Sequence, residues 1–171
     1  MSANEGIPHI LIIPEDKEDR AIVVGAVNAL NINAHIVSNS GGWLKVETLL
    51  NKEYIPRLRT NANTHVVIVI DFDKWGKKRY EKVFSWVPSE LKDRVFILGP
   101  AKEPKDLRSE LKLKMSLEEI GETLVTDCDE EHISPLWDRE MLKHNKEEFR
   151  RLRDTIGLRL LDYWTPNRTN F

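Results

Sequence analysis

The sequence predicts an α/β fold, in which a Rossmann-like parallel sheet of four strands is flanked by helices and followed by a helical C-terminal extension. Four short apolar segments, at 10–13, 34–37, 65–70 and 94–98, alternate with segments of helical periodicity. The third is rich in Val and Ile without polar alternation, which is typical of a strand buried on both faces. Parallel strands need long crossover connections, and these are usually helical. The alternation therefore favours a parallel sheet with helices on both sides.

Apolar periodicity predicts a helix after each of the first three strands. These helices cover 18–30, 43–58 and the segment between Gly76 and Pro88, and Pro56 should break or end the second one early. After the fourth strand the β pattern fades. The chain then has the composition of a helical region.

Three further helices are predicted in that region. The first contains Leu107 and Leu111, the second begins at the capping-box pattern of 116–119, and the third covers 146–164 with one apolar stripe. We therefore expect these helices to pack through apolar faces.

Length and composition favour one globular domain. The chain has 171 residues, enough for a sizeable core, and we expect a single domain over 1–171 with an α/β core at 8–100 and a helical extension at 101–171. A net charge of -2 excludes a global electrostatic bias toward nucleic acid, so any polyanion binding must be local. The single cysteine, Cys128, excludes an internal disulfide and a thiolate zinc site.

The expected location is the cytoplasm. A lone cysteine is typical of proteins from a reducing compartment. The first residues lack the basic stretch and long apolar run of a signal peptide, and no apolar run has the length of a membrane span. We therefore expect no membrane association.

Acidic residues follow two of the predicted strands. Asp71 and Asp73 come directly after the third strand, and Glu15 follows the first. Side chains of a strand repeat every two residues, so Asp71 and Asp73 should project to the same side. Carboxyl ends of parallel strands meet at one edge, where open α/β sheets place ligands. Carboxylates brought together there would bind a hard cation such as Mg²⁺, although acids after a strand also commonly cap the next helix.

Two further features lie near this predicted edge. Ser40, Gly41 and Gly42 form a loop after the second strand, where paired glycines permit close backbone approach or serve only as turn residues. A basic run follows the acid pair and would either hold phosphates near a metal or form a solvated helix face. This run comprises Lys74, Lys77, Lys78, Arg79 and Lys82.

The order of these motifs resembles the TOPRIM domain, which is shared by topoisomerases, bacterial-type primases, recombination-repair proteins and the overcoming-lysogenisation-defect nucleases. Glu15 closes the first strand, Asp19 follows four residues later, a Gly-containing loop follows the second strand, and Asp-x-Asp at 71–73 closes the third. The resemblance covers about residues 8–100. No topoisomerase tyrosine or primase zinc module fits in this length, so the nearest analogue is a small stand-alone nuclease-like member.

The resemblance implies Mg²⁺- or Mn²⁺-dependent phosphodiester chemistry on nucleic acid. Glu15 would act as general acid or base and contribute to metal binding, Asp71 and Asp73 would bind the metal, and Asp19 would have a supporting role. DNA is expected as substrate rather than RNA, in defence or repair, and a protein partner or a homodimer stays open. Many family members have Gly after the glutamate, where this chain has Asp16.

Two other functions stay open. The acidic pair Glu15 and Asp16 also resembles the end of the first strand of a response-regulator receiver, in which Asp71 would accept a phosphoryl group. Against this, Gly99 stands where a receiver has Ser or Thr, and no clear fifth strand carries the expected lysine. The third possibility is a non-catalytic TOPRIM scaffold that binds a partner through its helical tail.

Overall fold

A computed structural model describes residues 8–38, 41–111, 114–126, 128 and 132–157. Its centre is a sheet of four parallel strands in the order β2-β1-β3-β4. The predicted α/β fold, with an all-parallel four-stranded sheet flanked by helices in a Rossmann-like arrangement, is confirmed. The strands are β1 (His9–Pro14), β2 (Ala34–Ile36), β3 (Thr64–Val69) and β4 (Val95–Leu98).

Seven α-helices occur in the described part of the chain. They are α1 (Lys17–Leu30), α2 (Trp43–Leu49), α3 (Ile55–Thr60), α4 (Lys77–Phe84), α5 (Pro104–Leu111), α6 (Leu117–Thr126) and α7 (Lys146–Leu152). None of them combines the length and apolar character that crossing a bilayer requires.

Shorter helical turns complete the secondary structure. Two are π-helical, at Leu50–Tyr54 and Arg153–Gly157, and the others are 3₁₀ turns at Asp73–Trp75, Ser89–Arg94, Pro135–Asp138 and Lys143–Asn145. The predicted helix of 146–164 is present as α7 and the second π turn, and its remainder lies outside the described residues.

The capping box before α6 is present as predicted. Ser116 Oγ accepts a hydrogen bond from the Glu119 amide at 3.1 Å, and the Glu119 carboxylate accepts one from the Ser116 amide at 2.6 Å. Each side chain therefore satisfies an amide that the helix itself leaves without a partner.

The regular α-helix predicted at 43–58 is broken ahead of Pro56, as expected, but helical structure continues past the proline. α2 passes into the π turn Leu50–Tyr54 and then into α3, which continues to Thr60. Pro56 lies in the first turn of α3, where its missing amide removes no helical hydrogen bond. The π turn shifts the hydrogen-bond register before the proline and so accommodates it.

Both faces of the sheet are buried under helices. Alternate strand residues point to opposite sides, which explains why the strands are apolar without polar alternation. One face packs against α2, α3 and α4 through Leu11, Ile13, Val66, Ile68, Val95 and Ile97. The other packs against α1 and α7 through Ile10, Ile12, Val67, Val69, Phe96 and Leu98.

A second apolar layer lies outside α1. α6 packs across α1 at two glycines, since a Cβ at Gly25 would lie 1.9 Å from the Glu118 carbonyl oxygen, and one at Gly121 would lie 1.8 Å from the Ile22 carbonyl oxygen. Only glycine permits this approach. A third cluster fills the space beyond, comprising Leu107, Ile120, Leu124, Leu136, Trp137, Met141 and Leu142.

Side chains of the C-terminal segment cover the free edge of β4. Arg151 donates to the Val95 carbonyl oxygen at 2.6 Å, and Glu148 accepts from the Ile97 amide at 2.9 Å. Asn145 both accepts from the Gly99 amide, at 3.0 Å, and donates to the Gly99 carbonyl oxygen, at 2.8 Å. These side chains bind backbone groups that an additional strand would otherwise use.

The order in which strands are added to the sheet reverses at β1. β2 pairs with one side of β1 and β3 with the other, so the crossover after β2 carries the chain past β1. In open α/β sheets this switch point leaves a crevice beyond the carboxyl ends of the strands. Glu15 and Asp71 follow β1 and β3 at that position.

Candidate metal centre

The carboxyl ends of β1 and β3 hold Glu15 and Asp71 together. The Glu15 amide donates to the Val69 carbonyl oxygen at 2.8 Å, which continues the ladder by one residue. The Asp71 amide then donates to Glu15 Oε2 at 3.0 Å. The Glu15 carbonyl oxygen accepts from the Gly42 amide at 3.1 Å, so the loop after β2 contacts the same residue. These hydrogen bonds therefore hold Glu15 against Asp71 and against the loop after β2.

Asp19 reaches the site from the first turn of α1. Asp16 is the N-cap of this helix, and its Oδ1 accepts from the amides of Glu18 at 2.8 Å and Asp19 at 3.0 Å. Asp16 thus has a local structural role as the cap of α1. The cap sets the start of α1 and thereby the direction of Asp19.

Glu15, Asp19 and Asp71 form a carboxylate cluster that could hold a metal ion. Each offers one oxygen, and these oxygens lie within 4.8 Å of one another. Asp19 is completely buried. Both of its carboxylate oxygens, and Oδ1 of Asp71, are buried without a hydrogen-bond partner. Buried polar groups are normally satisfied, so these three oxygens are available to coordinate a ligand.

Asp19 and Asp71 favour the protonated form in the absence of a cation. Burial raises the pKa of Asp19 to about 9, and the negative charges of Asp71, Asp16 and Glu15 add to this effect. Burial likewise raises the pKa of Asp71 to about 8, with Glu15 and Asp16 among the contributing charges. A bound cation would lower the pKa of both Asp19 and Asp71 because it stabilises the ionised carboxylates.

Arg79 provides a positive charge beside the cluster. Its Nε donates to the Asp71 carbonyl oxygen at 3.1 Å, and its Nη2 lies 3.9 Å from Glu15 Oε1. Its guanidinium lies 5.0 Å from the ring centre of Trp43, which in turn stacks on Trp86. The side chain is only 13% exposed. Arg79 is therefore a fixed part of the site.

A cleft of about 460 Å³ opens onto Asp71. It is lined by Asp16, Lys17, Glu18, Gly41, Asp71 and Glu103. Gly41 and Gly42 have positive φ values of 77° and 111°, a backbone conformation that favours glycine. Of the predicted loop, Gly41 thus lies in the cleft and Gly42 contacts Glu15, whereas Ser40 lies outside the described residues.

Asp73 lies outside the three-carboxylate cluster. β3 ends at Val69, Phe72 has helical torsion angles, and Asp73 begins a 3₁₀ turn with φ 47°. The two-residue alternation that would align Asp73 with Asp71 therefore does not reach this position. Asp73 is exposed at the rim, and a role for it in metal binding stays a prediction.

The basic run separates into two groups. Lys74, Lys77 and Lys78 are exposed, whereas Arg79 turns inward. Helical spacing could have indicated that Arg79 faces inward. It lies four residues before the fully buried Val83, on the same face of α4.

Two other contributions were absent from the sequence prediction. Trp43 supports Arg79, although the pattern indicated only that it begins a helix. His144 approaches the carboxyl edge of the sheet, where its Nε2 lies 2.9 Å from the Gly99 carbonyl oxygen and its ring packs edge-on against Phe72. Neither residue has a local sequence signature, because each contact joins segments that are distant in the chain.

Comparison of the chain with protein-family models, with curated proteins and with solved structures finds no match. The site combines three carboxylates at the switch point of the sheet. One of them, Asp19, is buried with no hydrogen-bond partner for its carboxylate oxygens.

Proposed function

We propose that this protein is a Mg²⁺- or Mn²⁺-dependent nuclease of TOPRIM type, which hydrolyses phosphodiester bonds in nucleic acid, with DNA as the expected substrate. The observation that carries the proposal is Asp19, a completely buried acid whose two oxygens have no hydrogen-bond partner and lie beside Glu15 and Asp71. Burying an ionised carboxylate in this way is unfavourable unless a cation compensates for its charge.

The donor set fits a hard divalent cation. Glu15, Asp19 and Asp71 offer only carboxylate oxygens, which Mg²⁺ and Mn²⁺ prefer, and among the described residues no sulfur or imidazole ligand belongs to the cluster. The adjacent cleft leaves room for a phosphate group and water. Magnesium typically keeps several waters and binds through a few carboxylates, which is consistent with three ligands at an open cleft.

The residues around the cluster have complementary roles in this proposal. A bound divalent cation would polarise a phosphoryl oxygen and lower the pKa of water. Asp19 and Asp71 are assigned to metal binding, and Glu15 to metal binding and proton transfer. Arg79, held against Glu15 and stacked on Trp43, presents a fixed positive charge that would orient a phosphate.

Close packing at Gly99 counts against a receiver-like function. A Cβ at this position would lie 1.7 Å from the Ile70 carbonyl oxygen, so the Ser or Thr that a receiver has here could not be accommodated. A non-catalytic scaffold is the other alternative. It would bind metal or a protein partner without cleaving nucleic acid.

The proposal is tested by metal titration and cleavage assays on the full chain. Single-stranded DNA, duplex DNA and RNA are incubated with Mg²⁺ or Mn²⁺, and metal binding is followed by calorimetry. We expect metal-dependent cleavage that falls by about 100-fold or more in Glu15→Gln, Asp19→Asn and Asp71→Asn. Glu122→Gln, an exposed acid on α6, is the matched control and should retain activity.

The two alternatives give different results in these assays. Metal binding that Asp19→Asn and Asp71→Asn abolish, without cleavage of any substrate, would support the scaffold. Absence of cleavage together with unchanged metal binding in Asp71→Asn would remove the basis of the nuclease proposal. Phosphorylation of Asp71 by a small phosphodonor would instead support a receiver.

A further inference from the structure

Trp75 is exposed beside the candidate metal centre. It is 53% exposed, and within the described residues Leu44 is the only other large hydrophobic side chain with comparable exposure. Trp75 belongs to the 3₁₀ turn that joins β3 to α4, four residues after Asp71. Four residues span at most about 14 Å, so the two Cα atoms lie within that distance. The turn is compact, since the amides of Trp75 and Gly76 both donate to the Phe72 carbonyl oxygen.

Other tryptophans of the described chain have clear packing partners. Trp43 and Trp86 stack on each other with ring centres 5.7 Å apart. Trp137 stacks on Phe149, and its Nε1 donates to the Leu124 carbonyl oxygen. The ring of Trp75, by contrast, stacks on no aromatic residue in the described ranges, and its neighbour Lys74 places Nζ 5.6 Å from the ring centre. Packing within the described residues therefore leaves about half of this large aromatic side chain open to solvent.

Three exposed lysines lie close to Trp75 in the chain, and Asp73 is the acid in its own 3₁₀ turn. Lys74, Lys77 and Lys78 are exposed on both sides of it. Lys77 lies 3.7 Å from the Glu81 carboxylate, but both side chains are largely exposed, so this pair holds the lysine weakly. The first turn of α4 has no acidic residue, and its lysines stand at the positive end of the helix dipole. That arrangement is unfavourable for an isolated helix and becomes favourable when an anion binds.

We propose that Trp75 is a stacking platform for an unpaired base, and that the substrate of the adjacent site is single-stranded nucleic acid. This inference rests on the proposed function and specifies its substrate class. Aromatic rings bind single strands by stacking on base faces, while nearby cations contact the phosphates. In a duplex, neighbouring base pairs cover those faces. The Trp75 ring with Lys74, Lys77 and Lys78 provides both elements next to Asp71.

The inference is tested by binding in the presence of EDTA, so that neither metal loading nor cleavage is required. Fluorescence anisotropy measures the affinity of the full chain for labelled oligothymidylate, oligouridylate and a DNA duplex of the same length. We expect Trp75→Leu, which keeps an apolar side chain without a ring, to bind both single strands about 10-fold or more weakly. Trp75→Phe should stay within about threefold of the parent because it retains a stacking face.

Leu44→Ala is the control for a general effect of exposed apolar surface. It removes the other exposed apolar side chain and should leave oligothymidylate binding unchanged. Equal affinity of Trp75→Leu and the parent for single strands would overturn the inference, as would an equal loss of duplex binding. A Trp75-dependent interaction with a protein but not with oligonucleotides would also overturn it. If cleavage fails while Trp75-dependent binding persists, the nuclease proposal fails and the binding inference stands.

Discussion

Asp19 is a residue whose position is costly for folding and useful for binding. Transfer of an ionised carboxylate into the protein interior is unfavourable unless the charge is paired, and Asp19 has no hydrogen-bond partner for its carboxylate oxygens. Its pKa of about 9 means that the metal-free protein keeps this group neutral at ordinary pH. A divalent cation would therefore compete with a proton for Asp19.

We expect the pH dependence of stability to report on Asp19. The folded state binds its proton up to about pH 9, whereas the unfolded state releases it near pH 3.8. The protonated Asp19 therefore makes its full contribution to the free energy of unfolding below its unfolded-state pKa. That contribution decreases as the pH rises toward its folded-state pKa, by up to about 1.4 kcal/mol per pH unit. Urea denaturation with chelator at pH 6 and pH 9 should show the parent losing more stability than Asp19→Asn.

Glu122→Gln is the control for this measurement, because it removes an exposed acid and should retain the parental pH slope. Identical slopes in the parent and Asp19→Asn would show that Asp19 is not protonated in the folded state. Added Mg²⁺ should reduce the loss of stability at high pH in the parent and in Glu122→Gln but not in Asp19→Asn, since it would replace the proton of Asp19.

At the scale of single residues, the sequence predicted that Glu15 and Asp71 meet at one edge of the sheet, but it expected Asp73 rather than Asp19 as the third metal ligand. Strand ends and their acids are local features, so their placement at one edge followed from the topology. The rim position of Asp73 depends on where extended backbone ends, and an apolar run does not show that point. The inward direction of Arg79 depends on its contact with Trp43, which lies on another element.

The contact between α1 and α6 depends on two glycines. Ala normally favours a helix over Gly by roughly 0.5–1 kcal/mol, but here its Cβ would collide with a backbone carbonyl of the partner helix. We expect Gly121→Ala and Gly25→Ala each to destabilise the protein by about 1–3 kcal/mol, because the helices must separate. Urea denaturation measures the change, and Glu122→Ala on the exposed face of α6 is the control. A stabilised Gly121→Ala protein would contradict this close approach.

At the scale of elements, periodicity identified helices and strands better than their interruptions. The third strand was predicted at 65–70 and is observed at Thr64–Val69, since its apolar run is unambiguous. The break near Pro56 was predicted, but the continuation of helical structure to Thr60 was not, because the π turn that accommodates the proline has no simple sequence pattern. Pairing of α6 with α1 was likewise absent from the prediction, because two isolated glycines indicate no particular partner.

For the whole molecule, the covered edge of β4 gives a prediction about stability. Asn145 is buried and accepts a hydrogen bond from the Gly99 amide. The Gly99 carbonyl oxygen contacts His144 as well as Asn145, so only the amide depends on Asn145 alone among these contacts. Asn145→Ala would leave the amide without its partner, and we expect a loss of about 1–3 kcal/mol in the free energy of unfolding. Asn51→Ala, at an exposed position on the first π turn, is the matched control and should change stability by less than about 0.5 kcal/mol. Similar effects of the two substitutions would show that the edge contacts contribute little.

The way β4 is covered also bears on synthesis of the protein. The groups that satisfy Val95, Ile97 and Gly99 come from residues 145–151, about fifty positions later in the chain. While the ribosome is still translating that interval, a nascent sheet would present an unoccupied β4 flank to other newly made chains. Chaperone engagement should accordingly be strongest at chain lengths that end between β4 and α7, and should fall once α7 has emerged and docked.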